Sequence, residues 1–109
     1  MNYQWRIVRL GLSDELNDAG AVLENAIVEV RWKRIATDEA GNTASHVGLT
    51  KLTAKEVSAS DFISLDAVTE ANVLAWVQNS MTEHKINKIN KILENKIEAQ
   101  KVRKTKPSW

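Results

Sequence analysis

The chain has 109 residues, no cysteine and a formal net charge of +1 at pH 7. This length predicts one domain with a modest core, and the lack of cysteine excludes a disulfide framework, a thiolate metal site and a cysteine nucleophile. The first residues lack the pattern of a signal peptide and no apolar run reaches the ~18 residues of a membrane span, so we expect a soluble protein made in a cytoplasm.

The charge is divided unevenly along the chain. Residues 1–82 hold seven Lys/Arg against eleven Asp/Glu, whereas residues 83–109 hold eight Lys/Arg against three Glu. Such a division concerns association with partners and not the fold. It indicates either a basic C-terminal surface for a partner or a solvated helix face followed by a frayed tail.

The first predicted element is a strand over residues 3–12, with one apolar face and a second face that begins polar and turns apolar at Val8 and Leu10. We expect both faces to be covered near its end. Gly11 and the acidic group that follows it are expected to end this strand. Residues 12–20 are therefore predicted to form a loop, in which Asp14, Glu15 and Asp18 form a solvated turn or, less favourably, hold a calcium ion.

The clearest element is a hairpin. From Ala26 onward, apolar and charged residues alternate, which predicts a second strand with one buried and one wet face. The alternation slips at Ile35, which indicates a bulge, a twist or the strand leaving the edge of the sheet. Gly41-Asn42 predicts the turn, and residues 43–52 the third strand.

One helix follows the strands. Thr69 is a good N-cap, and Val68 with Val73 fits a hydrophobic staple, so we expect a helix over Thr69–Met81. Before it, Asp61–Leu65 could add a short edge strand.

Residues 82–109 differ from the rest of the chain. Their apolar positions form a narrow seam, closer to a coiled coil than to the broad face of a core helix. Its residues are Ile86, Ile89, Leu93 and Ile97. We expect a long helix from Glu83 to Arg103 that packs on its own domain or on another chain. The predicted division is a small α+β domain over 1–81 and a C-terminal helical extension and tail over 82–109.

A basic tail follows the seam. Its four cations are Lys101, Arg103, Lys104 and Lys106. Pro107 stops the helix and extends the chain, so Trp109 could reach a pocket on a neighbour, and tryptophan often anchors interfaces. A frayed end is the alternative. The seam, the four cations and Trp109 are the predicted partner-binding residues, whereas Trp5, Trp32 and Trp76 fall on apolar stripes and are predicted to be core.

Residue types that carry chemistry form no catalytic pattern. His46 and His84 have no second ligand at metal-binding spacing, and the four glycines match no phosphate-binding motif. We therefore expect no enzyme, no metal and no cofactor. The tail could bind phosphates, but the acidic first part of the chain argues against nucleic acid as the main partner. Asparagines interrupt the apolar face of the last helix, which argues against a membrane surface.

Short motifs follow one another in a characteristic order. They are a Tyr-x-Trp strand at Tyr3–Trp5, a long hairpin, the segment Val68–Val77 with its Thr-Glu-x-x-Val-x-x-Trp-Val pattern, a helix containing Ile97–Gln100, and Pro-x-Trp at Pro107–Trp109. This order resembles a group of small tailed-bacteriophage proteins, although the last helix is richer in lysine and Pro-Ser-Trp replaces a shorter ending. The resemblance implies a phage-encoded, virion-associated component and supplies no catalytic residues.

The sequence thus predicts an α+β fold with an antiparallel sheet of three to four strands packed by one helix, then a long C-terminal helix and a basic tail. The predicted function is a non-enzymatic structural or assembly component of a tailed-phage virion, made in the host cytoplasm. It would dock through the C-terminal helix and tail onto another virion protein or another copy, as a homo-oligomer or part of a larger assembly. The alternative is a small nucleic-acid-binding or host-takeover factor that uses the lysine-rich tail.

Overall fold

The computed structural model describes residues 1–103 and 105–109, and within them three β-strands are followed by two α-helices. The strands are β1 (Asn2–Leu16), β2 (Val22–Thr37) and β3 (Thr43–Lys51), and the helices are α1 (Glu70–Asn79) and α2 (Glu83–Gln100). The strands form one antiparallel sheet in the order β1-β2-β3. The predicted α+β class is confirmed.

The hairpin of β1 and β2 is longer than predicted. Residues after Gly11, which were expected to form a loop, stay paired as far as Leu16, opposite Val22. The residues that were expected to end the strand instead lie among three register shifts along β1, across which the pairing continues. The acidic residues support this pairing, since Oδ1 of Asp14 accepts a hydrogen bond from the backbone nitrogen of Asn25 at 2.9 Å.

The hairpin of β2 and β3 is regular. Its pairs run without a shift, and Ile35 lies in register opposite Ser45. Two of the explanations considered for Ile35, a bulge and a departure from the sheet, are therefore wrong. Asp38 closes the turn, because its Oδ1 accepts a hydrogen bond from the backbone nitrogen of Asn42 at 2.8 Å. Gly41 supplies the left-handed conformation with φ of 86°. The hydrogen bond from the Asn42 side chain is the main reason that the pKa of Asp38 is lowered.

The core lies on one face of the sheet and centres on Trp32, whose side chain is 2% exposed. The indole of Trp32 lies directly over Gly48 of β3, where an added Cβ would sit 2.2 Å from Cζ2 of the indole. The indole nitrogen donates a hydrogen bond to Oγ1 of the buried Thr50 at 2.9 Å. Glycine at position 48 is therefore the residue that lets the largest core side chain lie flat on the neighbouring strand.

Both helices begin at threonine caps. Oγ1 of Thr69 accepts a hydrogen bond from the backbone nitrogen of Asn72 at 3.2 Å, and Oδ1 of Asn72 accepts one from the backbone nitrogen of Thr69 at 3.0 Å. This is a capping box in which asparagine takes the place of the usual Glu or Gln. Thr82 caps α2 by accepting a hydrogen bond from the backbone nitrogen of Lys85 at 3.1 Å.

The connection between β3 and α1 contains turns instead of a fourth strand. The edge strand considered for residues 61–65 does not form. Its backbone bonds locally, since the nitrogen of Phe62 donates to the carbonyl oxygen of Ser58 at 3.0 Å. Backbone groups that are bonded within the segment in this way cannot pair with a strand of the sheet.

Candidate functional site

The apolar seam of α2 faces the chain's own sheet. Ile89, Leu93 and Ile97 are 4%, 0% and 0% exposed and belong to the core that contains Trp32. Ile86 is half-buried. Three of the four seam residues predicted to contact a partner are thus covered within the chain, because α2 turns its narrow stripe inward. The core draws on both sides of the predicted domain boundary.

Two polar side chains of α2 reach the outer edge of β3. Nζ of Lys96 donates a hydrogen bond to the backbone oxygen of Ser45 at 2.8 Å, and Nε2 of Gln100 donates one to the backbone oxygen of Thr43 at 2.7 Å. Carbonyl groups on an edge strand have no neighbouring strand to pair with. These contacts fix the C-terminal half of α2 against the sheet.

The described residues after α2 are exposed. Their cations are Lys101, Arg103 and Lys106; Lys104 lies outside the described residues. Nζ of Lys101 donates a hydrogen bond to Oε1 of Glu98 at 3.0 Å, and this partner raises the pKa of Lys101. Trp109 is 100% exposed. The segment therefore presents positive charge and an uncovered indole together.

An apolar groove of about 860 Å³ lies where the end of the first hairpin meets the connecting segment and α1. Phe62, Leu65 and Trp76 contribute apolar lining, and Glu56 and Asp61 contribute two carboxylates. This combination suits an apolar group that carries positive charge beside it.

The other face of the sheet carries a concentration of cations that the sequence reasoning missed. Both helices pack on the core face, and the rows opposite it read Arg6–Lys33–Val47 and Arg9–Arg31–Leu49 across the three strands. We call this surface, with the adjoining residues on the same side of the sheet, the open face. Of the seven Lys/Arg in residues 1–82, five lie on it: Arg6, Arg9, Arg31, Lys33 and Lys51.

The open face places like charges opposite one another. Arg6 is paired with Lys33, and Arg9 with Arg31, an arrangement that destabilises a sheet. The ion pairs in the described part of the chain join Lys91 to Glu94 and Lys101 to Glu98, so none of the five cations has a carboxylate within 4 Å there. The alternation within β2 predicted that Arg31 and Lys33 are solvated. The cations of β1 lie opposite them because of the pairing register between the two strands, which shifts at Val8.

Arg34 is the cation of β2 that points to the core face. Its guanidinium carbon lies 4.6 Å from the ring centroid of Trp5 and 5.0 Å from that of Tyr3, and its Nε donates to Oδ1 of Asn90 at 3.2 Å. The hydroxyl of Tyr3 donates to Oε1 of Glu94 at 3.0 Å. Burial lowers the pKa of Arg34, and burial together with the Glu94 contact raises the pKa of Tyr3. These contacts tie α2 to β1 and β2.

The histidines and carboxylates do not assemble into a metal centre. Within residues 1–103 and 105–109, no group of three or more His, Cys, Asp or Glu side chains could hold a metal ion. His46 packs 6.0 Å from the Trp32 ring, whereas His84 is exposed at the start of α2. Glu15, from the acidic group, accepts a hydrogen bond from the backbone nitrogen of Ala54 at 3.1 Å.

Neither described helix has the length and apolar character to cross a membrane.

Comparison with known proteins concerns the chain as a whole. A family model described as a domain of unknown function, DUF7936, matches residues 1–109. No curated protein and no solved structure matches the chain. The family match includes the sheet, both helices and the exposed C-terminal segment.

Proposed function

Since the chain belongs to the DUF7936 family along its whole length, a family described without a function, we propose a function from the motif order and the exposed surfaces. The protein is a non-enzymatic structural or assembly component of a tailed-phage virion. It docks through its C-terminal region, residues 82–109, onto another virion protein or another copy and forms part of a larger assembly. The phage context depends on the resemblance in motif order from Tyr3–Trp5 to Pro107–Trp109.

The observation that carries the proposal is the exposure of Trp109 beside several cations. A tryptophan buries ~150–250 Å² when it is covered, and at ~25 cal/mol per Å² this supplies about 4–6 kcal/mol before the cost of ordering the segment. Tryptophan is also enriched among the residues that dominate binding energy at interfaces. The flanking cations would steer the segment toward an acidic surface.

The proposed docking residues are fewer than the sequence suggested. Ile89, Leu93 and Ile97 anchor α2 to the sheet, so the segment after α2 makes the contact, with half-buried Ile86 at the other end of the helix. In this arrangement α2 is held against the sheet, and the residues after it contact the partner.

The groove supports another copy as one acceptor. It combines the rings of Phe62 and Trp76 with the carboxylates of Glu56 and Asp61, which complements an indole flanked by lysine and arginine. Its volume of about 860 Å³ exceeds that of a single side chain and leaves room for Pro107 beside Trp109.

The test compares particles that carry the full chain with particles made with a variant lacking residues 101–109. None of the described residues that the deletion removes is buried, so the variant should keep the circular dichroism spectrum and thermal unfolding midpoint of the full chain. We expect it to be absent from purified particles by mass spectrometry, and Trp109→Ala to reduce incorporation strongly. Thr105→Ala, an exposed position in the same segment, is the matched control and should incorporate normally.

Unchanged incorporation of the deletion variant would refute docking through this segment. The acceptor is tested separately by light scattering on the purified protein. Loss of self-association in both Trp109→Ala and Phe62→Ala, each still folded, identifies the groove of a second copy. A protein that incorporates through the segment but stays monomeric at all concentrations has another virion protein as its acceptor.

A further inference from the structure

We propose that the open face binds the phosphate backbone of a nucleic-acid duplex without sequence preference. This site is on the sheet and is independent of the docking segment after α2. It uses Arg6, Arg9, Arg31, Lys33 and Lys51.

Charge is segregated in the folded chain. Residues 1–82 are acidic overall, with eleven Asp/Glu, yet the two rows of the open face that hold four of the five cations contain no carboxylate. Carboxylates lie only at the end of the face, beside Lys51. The fold therefore builds a strongly positive surface from a segment whose composition predicts the opposite. A surface of this kind is the electrostatic signature of binding to polyanions.

The cations of the open face are closely spaced. Strands in a sheet lie ~4.8 Å apart and rise ~3.3 Å per residue, so the row of Arg6 and Lys33 lies ~7 Å from the row of Arg9 and Arg31. The aliphatic side chains of Val47 and Leu49 continue these rows onto β3, each 46% exposed. The result is a closely spaced set of guanidinium and ammonium groups that can each contact a separate phosphate.

The arrangement of cations on the open face is unfavourable for the free protein. Arg6 opposes Lys33, and Arg9 opposes Arg31, and the described carboxylates neutralise neither pair. Opposed like charges weaken a sheet. A row of phosphates placed over these pairs would remove the repulsion, so a polyanion gains affinity from relieving it.

The composition of the open face favours a nucleic-acid duplex over an acidic protein or a single strand. Its rows contain no aromatic side chain and no methionine, whereas protein interfaces depend on Trp, Tyr, Phe and Met anchors and are poor in lysine. Single-strand binding uses aromatic side chains on which bases stack. Charge without stacking groups is what backbone contact with a duplex requires.

The expected salt dependence follows from the number of cations. Five phosphate contacts on duplex DNA give a slope of log affinity against log salt of about −4.5. Between 50 and 200 mM salt, this slope corresponds to a roughly 500-fold loss of affinity. For the triple variant Arg6→Gln/Arg31→Gln/Lys33→Gln, we expect a slope of about −1.8, because each lost contact lowers its magnitude by ~0.9.

The experiment measures fluorescence anisotropy of a labelled 20-base-pair DNA duplex of mixed sequence with the full chain. The matched control changes the same number of cations on the outer side of α2, in Lys85→Gln/Lys88→Gln/Lys91→Gln, all exposed positions. We expect the open-face variant to bind the duplex much more weakly and with the reduced salt slope, and the α2 variant to retain most of the affinity. Thermal unfolding is followed for both, and relief of the like-charge pairs should leave the open-face variant at least as stable as the full chain.

Three results would overturn the proposal. One is equal loss of affinity in the open-face and α2 variants, which would indicate attraction by net charge alone. Another is loss of binding only in Lys101→Gln/Arg103→Gln/Lys106→Gln, which would assign the site to the segment after α2. The third is competition by poly-glutamate as effective as that by unlabelled duplex, which would identify an acidic protein surface as the partner.

Discussion

Replacing Gly48 by alanine tests the packing of the core at one atom. The added Cβ would lie 2.2 Å from Cζ2 of Trp32, so the indole must shift by more than 1 Å to restore ordinary contact. It has little freedom to do so, because it is 2% exposed, meets the Trp5 ring edge-on at 5.3 Å and donates to Thr50. Overpacking of a core costs ~1–3 kcal/mol and a lost buried hydrogen bond ~1 kcal/mol.

We therefore expect Gly48→Ala to lower the free energy of unfolding by about 3 kcal/mol, a large part of the ~5–15 kcal/mol of a typical domain. If the added Cβ did not contact Trp32, the substitution should raise the free energy of unfolding, since alanine in a strand interior is favoured over glycine by ~0.5–1 kcal/mol. Urea unfolding followed by tryptophan fluorescence measures the difference, with Ser45→Ala on the exposed side of the same strand as the control. A neutral or stabilising Gly48→Ala would refute the reasoning.

A double-mutant cycle isolates the contact. In a Trp32→Leu background the obstructing ring is absent, so adding Gly48→Ala should cost less than about 0.5 kcal/mol beyond the first substitution. Equal costs in the two backgrounds would place the strain somewhere other than the indole.

Two further predictions concern α2 and the β2–β3 turn. Leu93→Ala should destabilise the isolated chain by ~2–5 kcal/mol, because it opens a cavity in a fully buried site; an unchanged urea midpoint in the absence of any partner would contradict the inward packing of the seam. Asp38 has a lowered pKa in the folded state relative to its ordinary 3.8, so its contribution to stability is present above that pH and is lost as the pH falls through the folded-state pKa. The stability difference between the full chain and Asp38→Asn should therefore shrink as the pH is lowered from about 6 to about 2, and a difference independent of pH would show that the ionised carboxylate is not responsible.

The elements that local chemistry specifies were predictable from the sequence. Gly41 and Asn42 marked the β2–β3 turn, and Thr69 marked the start of α1, because each requires a residue with a particular backbone or hydrogen-bonding property. The end of β1 was not predictable in this way. Asp14 was interpreted as part of a loop, whereas its carboxylate bonds to the backbone of Asn25 across the hairpin. This contact depends on the pairing of the two strands on either side of it, Ser13 with Ala26 and Glu15 with Leu23.

The surfaces were harder to predict than the elements. A narrow stripe at Ile89, Leu93 and Ile97 is compatible with a coiled coil or a core helix, and the choice depends on how much sheet is free to receive it. The cations Arg6 and Arg31 were each visible as wet positions on a strand. Their combination into one surface depends on the register between strands, which periodicity within one strand does not contain.

The contacts of Lys96 and Gln100 with the edge of β3 affect how copies of this protein can associate at high concentration. They occupy the outward carbonyl groups of Thr43 and Ser45, and β1, the strand at the other edge, is interrupted by register shifts. An unprotected edge strand is a template on which further chains polymerise. Copies of this protein held at high local density should therefore be hindered from adding a strand at this end of β3.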